Sequence, residues 1–214
     1  MKRWLSVLAL MALSLSVATA SALAFVHVFD GLWEFSFRQS SAAALCSETD
    51  ALANYRAVMD YLSPFSDAPF SLPSLPFSEG GARHFADCKR LFNGVYATGG
   101  VSVLLLIPLC LWLSKKQLLN RALRGCGAAL TGLSAGIAAV ALVAFQPAFT
   151  LFHKLFFSND LWVFSPSSDP IITLLPASFF LLCALVILGT WLAVGVAQLL
   201  FGFLSDRRQA RKGN

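Results

Sequence analysis

The run WLSVLALMALSLSVATASALAF, residues 4–25, contains 22 consecutive residues without a charged side chain. About 20 apolar residues are enough for a helix to cross the hydrocarbon core of a bilayer. Three further uncharged runs of sufficient length follow at residues 96–114, 126–149 and 171–204. The last run is longer than one crossing requires, so we expect that crossing to begin near Pro176. The sequence therefore predicts four transmembrane helices.

The composition of the whole chain supports this interpretation. Of its 214 residues 57% are hydrophobic and 13% are charged, whereas about a quarter of the residues in soluble domains are charged. The net charge of +5 does not indicate nucleic-acid binding. Its basic residues flank the apolar runs, where they determine membrane topology. We therefore expect membrane lipid, and no nucleic acid, among the partners.

The distribution of Lys and Arg predicts the topology, because these residues are in excess in cytoplasmic segments. Ten of the 16 lie at the two termini and between the second and third runs, so both termini should be cytoplasmic. Residues 1–214 are then a single membrane domain with spans at about 4–26, 95–114, 125–149 and 176–204, extracytoplasmic segments 27–94 and 150–175, and cytoplasmic segments 1–3, 115–124 and 205–214. Signal-peptide cleavage after Ala18-Thr19-Ala20 is an alternative, but the uninterrupted run to Phe25 favours an uncleaved anchor.

The first outer segment is long enough to form a small folded cap. Apolar and polar residues alternate over residues 33–38, which predicts a half-buried strand. Ser47 and Asp50 resemble a capping box before a helix of about four turns, and Ser78 is expected to cap another helix. The proline-rich residues 64–77 are either a packed loop or a lip that touches lipid. The expected fold is all-α integral membrane, with four transmembrane helices, an extracytoplasmic cap that contains some β structure, and a short second outer loop.

The histidines carry the only chemistry that the sequence singles out. His84 lies three residues before Asp87 on a predicted helix, so the carboxylate could orient the imidazole and raise its basicity. His153 lies where the third span should emerge, in a loop that also contains Asp160 and Asp169. Ionisable groups near membrane depth are disfavoured unless they are used. We therefore expect His84 and His153 to be catalytic and Asp87, Asp160 and Asp169 to support them.

Other features of the outer segments receive simpler interpretations. Asp169-Pro170 is predicted to begin a helix, with proline at its first position. His27 is expected to be an interfacial histidine with a hydrogen bond. Cys46 and Cys88 could form a disulfide or remain unpaired thiols, and the sequence leaves both open. No metal-ligand spacing such as HExxH occurs, so neither a metal nor another cofactor is expected.

Three stretches resemble the lipoprotein intramolecular transacylases, a family of bacterial integral membrane proteins. The first begins Asn54-Tyr55-Arg56, and the second is Arg83-His84-Phe85-Ala86-Asp87-Cys88-Lys89. The third and most specific runs from His153 through Phe156-Phe157, Asp160, Trp162, Pro166 and Asp169-Pro170 to Phe179-Phe180. The chain departs from the family pattern at Cys88, where we expect an aliphatic residue, and at Ala177, where we expect an acid. These departures leave the substrate open.

The resemblance implies an acyltransferase in the bacterial cytoplasmic membrane whose active site is extracytoplasmic. Such an enzyme moves an acyl chain from the S-diacylglyceryl group of a lipoprotein's N-terminal cysteine to the α-amine of that cysteine, which leaves a lyso-form lipoprotein. It also implies that His84 and His153 are the catalytic residues and that diacylglyceryl-modified lipoproteins are the partners. We expect the substrate or lipid to be bound by Tyr55, Arg83, Phe156, Phe157 and Trp162.

The two histidines can divide the work of this reaction. His84, oriented by Asp87, is expected to deprotonate the amine, while His153 donates to the oxyanion or the leaving glyceryl oxygen. Two alternatives compete with this interpretation. One is a four-span scaffold or adhesion protein without catalysis, and the other is a membrane hydrolase that uses His and Asp.

Overall fold

The structure is a computed structural model that describes residues 3–40 and 47–212, with the side chains of 4–40 and 47–208. Its elements are α1 (Arg3–Val28), α2 (Gly31–Arg38), α3 (Glu48–Leu62), α4 (Glu79–Lys115), α5 (Leu119–Val143), α6 (Phe145–Phe156), α7 (Ile171–Leu174) and α8 (Ala177–Lys212). No strand occurs among the described residues. The predicted all-α fold is confirmed.

The strand predicted at residues 33–38 is wrong, because these residues belong to helix α2. Trp33, Ser36 and Phe37 are its buried residues, and spacings of three and four are those of one helix face. Phe35, which a strand would place on the same face as Trp33, is 59% exposed. Six alternating residues are compatible with the period of a strand and with that of a helix, so the pattern alone could not separate a short helix from a strand.

Four of the helices are long and apolar enough to cross a membrane. These candidate spans are Trp4–Val28, Glu79–Lys115, Leu119–Val143 and Ala177–Arg208. Helix α4 has 37 residues, which corresponds to about 55 Å against a hydrocarbon core of about 30 Å. Its charged residues are concentrated before residue 91, so the apolar part that suits lipid is the later one. The prediction of four spans is confirmed.

The chain divides into two compact units. The first unit comprises Met1–Leu23, Val95–Ala139 and Leu185–Asn214, and the second comprises Ala24–Gly94 and Val140–Ala184. In the first unit, Leu10, Leu113 and Leu130 belong to a buried apolar cluster. A Cβ atom on Gly127 would lie 2.5 Å from the carbonyl oxygen of Gly195. Small residues therefore bring the backbones of α5 and α8 into contact.

In the second unit, helix α3 begins as the sequence predicts. The Ser47 side chain accepts a hydrogen bond from the backbone N–H of Asp50, which satisfies one of the free donors of the first turn. The side chain of Asn54 is fully buried, and its Oδ1 accepts from the backbone N–H groups of Ser74 and Leu75 at 3.3 Å. Helix α3 thereby holds the proline-rich segment in place.

The proline-rich segment, residues 64–77, packs mainly against its own unit. Leu72 is buried, and the Phe70 ring stacks on Phe85 of α4 with centroids 4.6 Å apart. The four prolines of the segment are exposed, and so are Phe65 and Phe77, at 94% and 39%. Of the two interpretations of this segment, the packed loop agrees better with these contacts.

Candidate active site

His84 and His153 come from different helices of the second unit and lie side by side. Helix α4 carries His84, and the short helix α6 carries His153 in its last turn. Their ring centroids are 5.9 Å apart. The two residues are only 5% and 8% exposed. The structure therefore brings together the two histidines that the sequence singled out.

Aromatic side chains surround this pair. Phe157 contacts both rings, at 4.9 Å from His84 and 5.5 Å from His153. Phe164 lies 5.4 Å from His84, and Trp162 lies 4.8 Å from His153. Surroundings of low polarity disfavour a charged imidazolium, so the resting state of the pair is two neutral rings.

A backbone carbonyl fixes the tautomer of His153. Its Nδ1 lies 2.8 Å from the carbonyl oxygen of Phe149, and since a carbonyl only accepts, Nδ1 carries the proton. The neutral ring then has a free lone pair on Nε2. Burial lowers the pKa of His153, while the hydrogen bond to Phe149 opposes this shift. In this tautomer Nε2 of His153 is free to accept a proton.

The surroundings of His84 differ from those expected. Its Nε2 lies 3.4 Å from Sγ of Cys88, and its Nδ1 is buried without a hydrogen-bond partner in the described part of the chain. The carboxylate of Asp87, predicted to orient His84, instead accepts hydrogen bonds from Asn159 and Arg90. A spacing of three residues brings Asp87 near His84, but Asn159, in the segment between α6 and α7, donates to the carboxylate instead.

Asp169 joins the segment between α6 and α7 to the start of α4. Its carboxylate accepts from the backbone N–H of Ser78 at 2.8 Å and from the Ser168 hydroxyl at 2.7 Å. Burial raises the pKa of Asp169, but these hydrogen bonds outweigh it and hold the pKa below its usual range. The predicted capping of a helix by Asp169 is wrong, because α7 has no side-chain cap and the Asp169 carboxylate binds Ser78 instead. Ser78 caps α4 as predicted, since its hydroxyl accepts from the backbone N–H of Gly81 at 2.9 Å. The Asp169 carboxylate thus binds Ser78, which is distant in sequence, and not the neighbouring first turn of α7.

The remaining predicted carboxylate, Asp160, is exposed, and its side chain makes no hydrogen bond or ion pair within the described residues. His27, in α1, takes no part in the ring contacts of the histidine pair.

Two of the five residues predicted to bind substrate or lipid, Phe157 and Trp162, lie against the histidine pair. Tyr55 is fully buried between Trp33 and Phe179, with ring centroids 4.9 and 5.8 Å away. Arg83 forms an exposed ion pair with Glu79, and Phe156 is 55% exposed. These last three residues do not reach the pair.

Sequence reasoning missed Asn159 and Phe164. Asn159 follows α6 in a short polar stretch, so its position in an outer loop was a weak signal for a hydrogen-bonding role. Phe164 is one of 19 phenylalanines and had no signal of its own. Cys88 was considered as a possible disulfide partner and as a departure from a family pattern, but not as a contact of His84.

Within residues 3–40 and 47–212, no group of three His, Cys, Asp or Glu side chains is placed to hold a metal ion. Cys46 lies outside the described residues. Cys88 is a free thiol, which agrees with the unpaired of the two alternatives for the outer cysteines.

These features define a polytopic, all-helical membrane protein that holds two buried histidines together among aromatic rings. The family model described as "Lipoprotein intramolecular transacylase Lit" matches residues 4–180. The chain belongs to that family and is an acyltransferase.

Solved structures support the same assignment. The structure of the membrane integral lipoprotein intramolecular transacylase Lit from Bacillus cereus is 27% identical in sequence, with a TM-score of 0.86 over 97% of this chain and 98% of that chain. Two structures of the Bacillus cereus protein in which one histidine is replaced, by arginine or by alanine, match with TM-scores of 0.81 and 0.80. Each is 26% identical, and the matches cover 98% and 97% of this chain and 94% and 96% of those chains. No curated protein matches the chain.

Proposed function

We propose that this enzyme transfers an acyl chain from the S-diacylglyceryl group of a lipoprotein's N-terminal cysteine to the α-amine of the same cysteine, leaving a lyso-form lipoprotein. The observation that carries the proposal is the contact of two buried histidines from separate helices, 5.9 Å apart. The family's name supplies the substrate class.

The reaction converts an ester into an amide, so the amine must lose a proton while the ester carbonyl accepts negative charge. Nε2 of His153 is suited to take that proton, because Nδ1–H is held by Phe149. As the amine nitrogen bonds to the carbonyl carbon, the carbonyl oxygen becomes an oxyanion. The same hydrogen bond to Phe149 stabilises the imidazolium that forms.

The tetrahedral intermediate then collapses, and the bond from carbon to the glyceryl oxygen breaks. The imidazolium of His153 passes its proton to His84, and His84 donates a proton to the departing glyceryl oxygen, which leaves both imidazoles neutral. These roles are the reverse of those expected from the sequence. The reason for the change is that His153 has a fixed tautomer, while the Asp87 carboxylate is held by Asn159 and Arg90.

Because donor and acceptor belong to one molecule, proximity supplies much of the rate, and neither a cofactor nor an acyl-enzyme is required. The aromatic rings around the pair limit the access of water, which would otherwise compete with the amine. We place the site on the extracytoplasmic side, because Lys and Arg are concentrated in the termini and in the connection between α4 and α5.

The test is mass spectrometry of a reporter lipoprotein's N-terminal peptide, expressed with and without this enzyme in a host that lacks N-acylation. The total mass should stay unchanged while one acyl chain moves to the amine. His84→Ala and His153→Ala should each abolish this transfer. His27→Ala is the matched control, since His27 is the remaining histidine of the second unit and should be dispensable.

Other results would replace the proposal. Loss of one acyl mass would identify water as the acceptor and the enzyme as a hydrolase. An unchanged peptide, despite correct membrane insertion, would favour the scaffold alternative. Equal loss of activity in all three histidine variants would show that His84 and His153 have no catalytic role distinct from that of His27.

A further inference from the structure

The indole N–H of Trp162 is a buried donor without an acceptor. Its Nε1 is covered from solvent and has no hydrogen-bond partner among the described residues. An indole nitrogen can only donate. Buried polar groups in folded proteins nearly always have a partner. Eight buried side-chain nitrogen and oxygen atoms of the described residues lack one, and those of Trp162 and His84 belong to the rings of the candidate active site.

Two other tryptophans in this chain have paired N–H groups. Nε1 of Trp33, in the same unit, donates to the carbonyl oxygen of Leu174 at 2.7 Å. Nε1 of Trp191, in the first unit, donates to Oγ1 of Thr19 at 3.0 Å. Trp162 differs from both.

The position of Trp162 indicates what its N–H could bind. Its ring lies 4.8 Å from that of His153 and is tilted by 33°, so the indole covers the catalytic imidazole. Nδ1 of His84 is also buried and unpaired. Two unsatisfied polar atoms therefore belong to the rings of one small cluster, which otherwise consists of phenylalanines.

We propose that Nε1–H of Trp162 donates a hydrogen bond to the ester carbonyl oxygen as it becomes the oxyanion. This inference rests on the proposed function. The amine nitrogen that gives its proton to Nε2 of His153 is bonded to the same carbon as that oxygen, so a donor on the ring packed against His153 is within reach of it. The carbon–nitrogen bond forms, the carbonyl π electrons move to oxygen, and the indole keeps its proton throughout.

A preorganised donor of this kind stabilises charge that develops only in the transition state. Trp162 should therefore contribute mainly to kcat. A residue that only contacts lipid tails would contribute to KM, because it binds ground state and transition state equally.

The test uses purified full-length enzyme in detergent micelles and a synthetic S-diacylglyceryl-cysteinyl peptide with a free α-amine. Initial rates of transfer are measured by mass spectrometry. Trp162→Phe keeps an aromatic ring against His153 but removes the N–H. A second variant, with β-(3-benzothienyl)alanine at position 162, keeps the bicyclic shape and replaces N–H by sulfur.

Both variants should reduce kcat by about 10²- to 10³-fold, the loss typical of removing one oxyanion donor, with KM little changed. The benzothienyl variant should keep the wild-type unfolding temperature, since it loses neither shape nor a native hydrogen bond, whereas Trp162→Phe also loses packing and should unfold at a lower temperature. Trp33→Phe is the matched control. It removes a paired N–H, so it should lower the unfolding temperature and leave kcat of the folded enzyme near the wild-type value.

Full kcat in the benzothienyl variant would overturn the inference, even if Trp162→Phe were slow, because shape and not the N–H would then matter. A higher KM at unchanged kcat would also overturn it and assign Trp162 to lipid contact. If the wild-type enzyme leaves the peptide unchanged, both the proposed function and the role of Trp162 are refuted. If the wild-type enzyme transfers the acyl chain and loss of the N–H does not slow transfer, only the role of Trp162 is refuted.

Discussion

Two adjacent glycines at the start of α4 should respond differently to the same substitution. A Cβ atom on Gly81 would lie 2.2 Å from Oδ1 of Asp169 and 3.2 Å from the Phe164 ring. At Gly80 the nearest atoms would be 3.5 and 3.6 Å away, which is ordinary van der Waals contact. Gly81→Ala must therefore displace the Asp169 carboxylate, whereas Gly80→Ala requires no movement.

The magnitude follows from the hydrogen bond that the displacement breaks. The Asp169 carboxylate is buried and accepts from Ser78 N–H at 2.8 Å, and a hydrogen bond to a charged group contributes about 1.5–3 kcal/mol. Both alanine variants gain about 1 kcal/mol from the better helix propensity of alanine. That gain cancels in the comparison. Gly81→Ala should therefore be about 1.5–3 kcal/mol less stable than Gly80→Ala.

The assay is thermal unfolding of both variants in the same detergent, followed by intrinsic fluorescence. For a chain of this size the difference corresponds to about 3 to 12 °C in Tm. Transfer activity should also fall in Gly81→Ala, because Asp169 ties the second outer loop, with Phe164 against His84, to α4. Equal stability and equal activity of the two variants would refute this account of Gly81.

Three further predictions concern single side chains. Asp169→Asn should destabilise the protein by about 1–2 kcal/mol, because it weakens the hydrogen bond from the Ser78 N–H. Asp160→Asn changes an exposed carboxylate of the same loop and should stay within about 0.5 kcal/mol of the wild-type stability. Equal unfolding temperatures of the two variants would contradict this prediction. Tyr55→Phe should leave activity unchanged and should not lower Tm, because the buried Tyr55 hydroxyl has no hydrogen-bond partner among the described residues; a fall in activity at constant Tm would instead assign Tyr55 to the substrate. Burial lowers the pKa of His153 below 6.5, so its imidazole stays neutral in mildly acidic solution. In a plot of kcat against pH, the loss of activity caused by protonation of His153 should therefore occur below pH 6.5, separate from the titration of the substrate amine near about pH 8. A loss assigned to His153 above pH 6.5 would contradict its proposed role as the base.

The parts of the fold that could be predicted are those encoded by long, local patterns. The run at residues 4–25 needs no partner to be recognised as a span, because length and lack of charge suffice. The cap at Ser47 is also local, since it involves only the first turn of α3. Helix α2 could not be predicted in this way. Its eight residues alternate in polarity, and only the packing of Trp33 and Phe37 decides between helix and strand.

The candidate site was predictable in its reactive groups but not in their partners. His84 and His153 stood out because a histidine at a membrane boundary is uncommon without a use. Their contacts depend on residues distant in sequence, such as Asn159, which binds the carboxylate of Asp87. A spacing of three on one helix makes a hydrogen bond between His84 and Asp87 possible. It does not exclude a better donor from another segment.

The position of His153 in its helix gives an independent reason for the role proposed for it. His153 lies in the last turn of α6, where the partial negative charge of the helix C-terminus favours a cation. His84 lies in the second turn of α4, beyond the first turn in which the charge of a helix N-terminus acts. Both rings are buried, so burial alone would not distinguish them. The end of α6 and the carbonyl of Phe149 therefore make His153 the better place for a proton taken from the amine, and the proposal leaves His84 to deliver one to the departing oxygen.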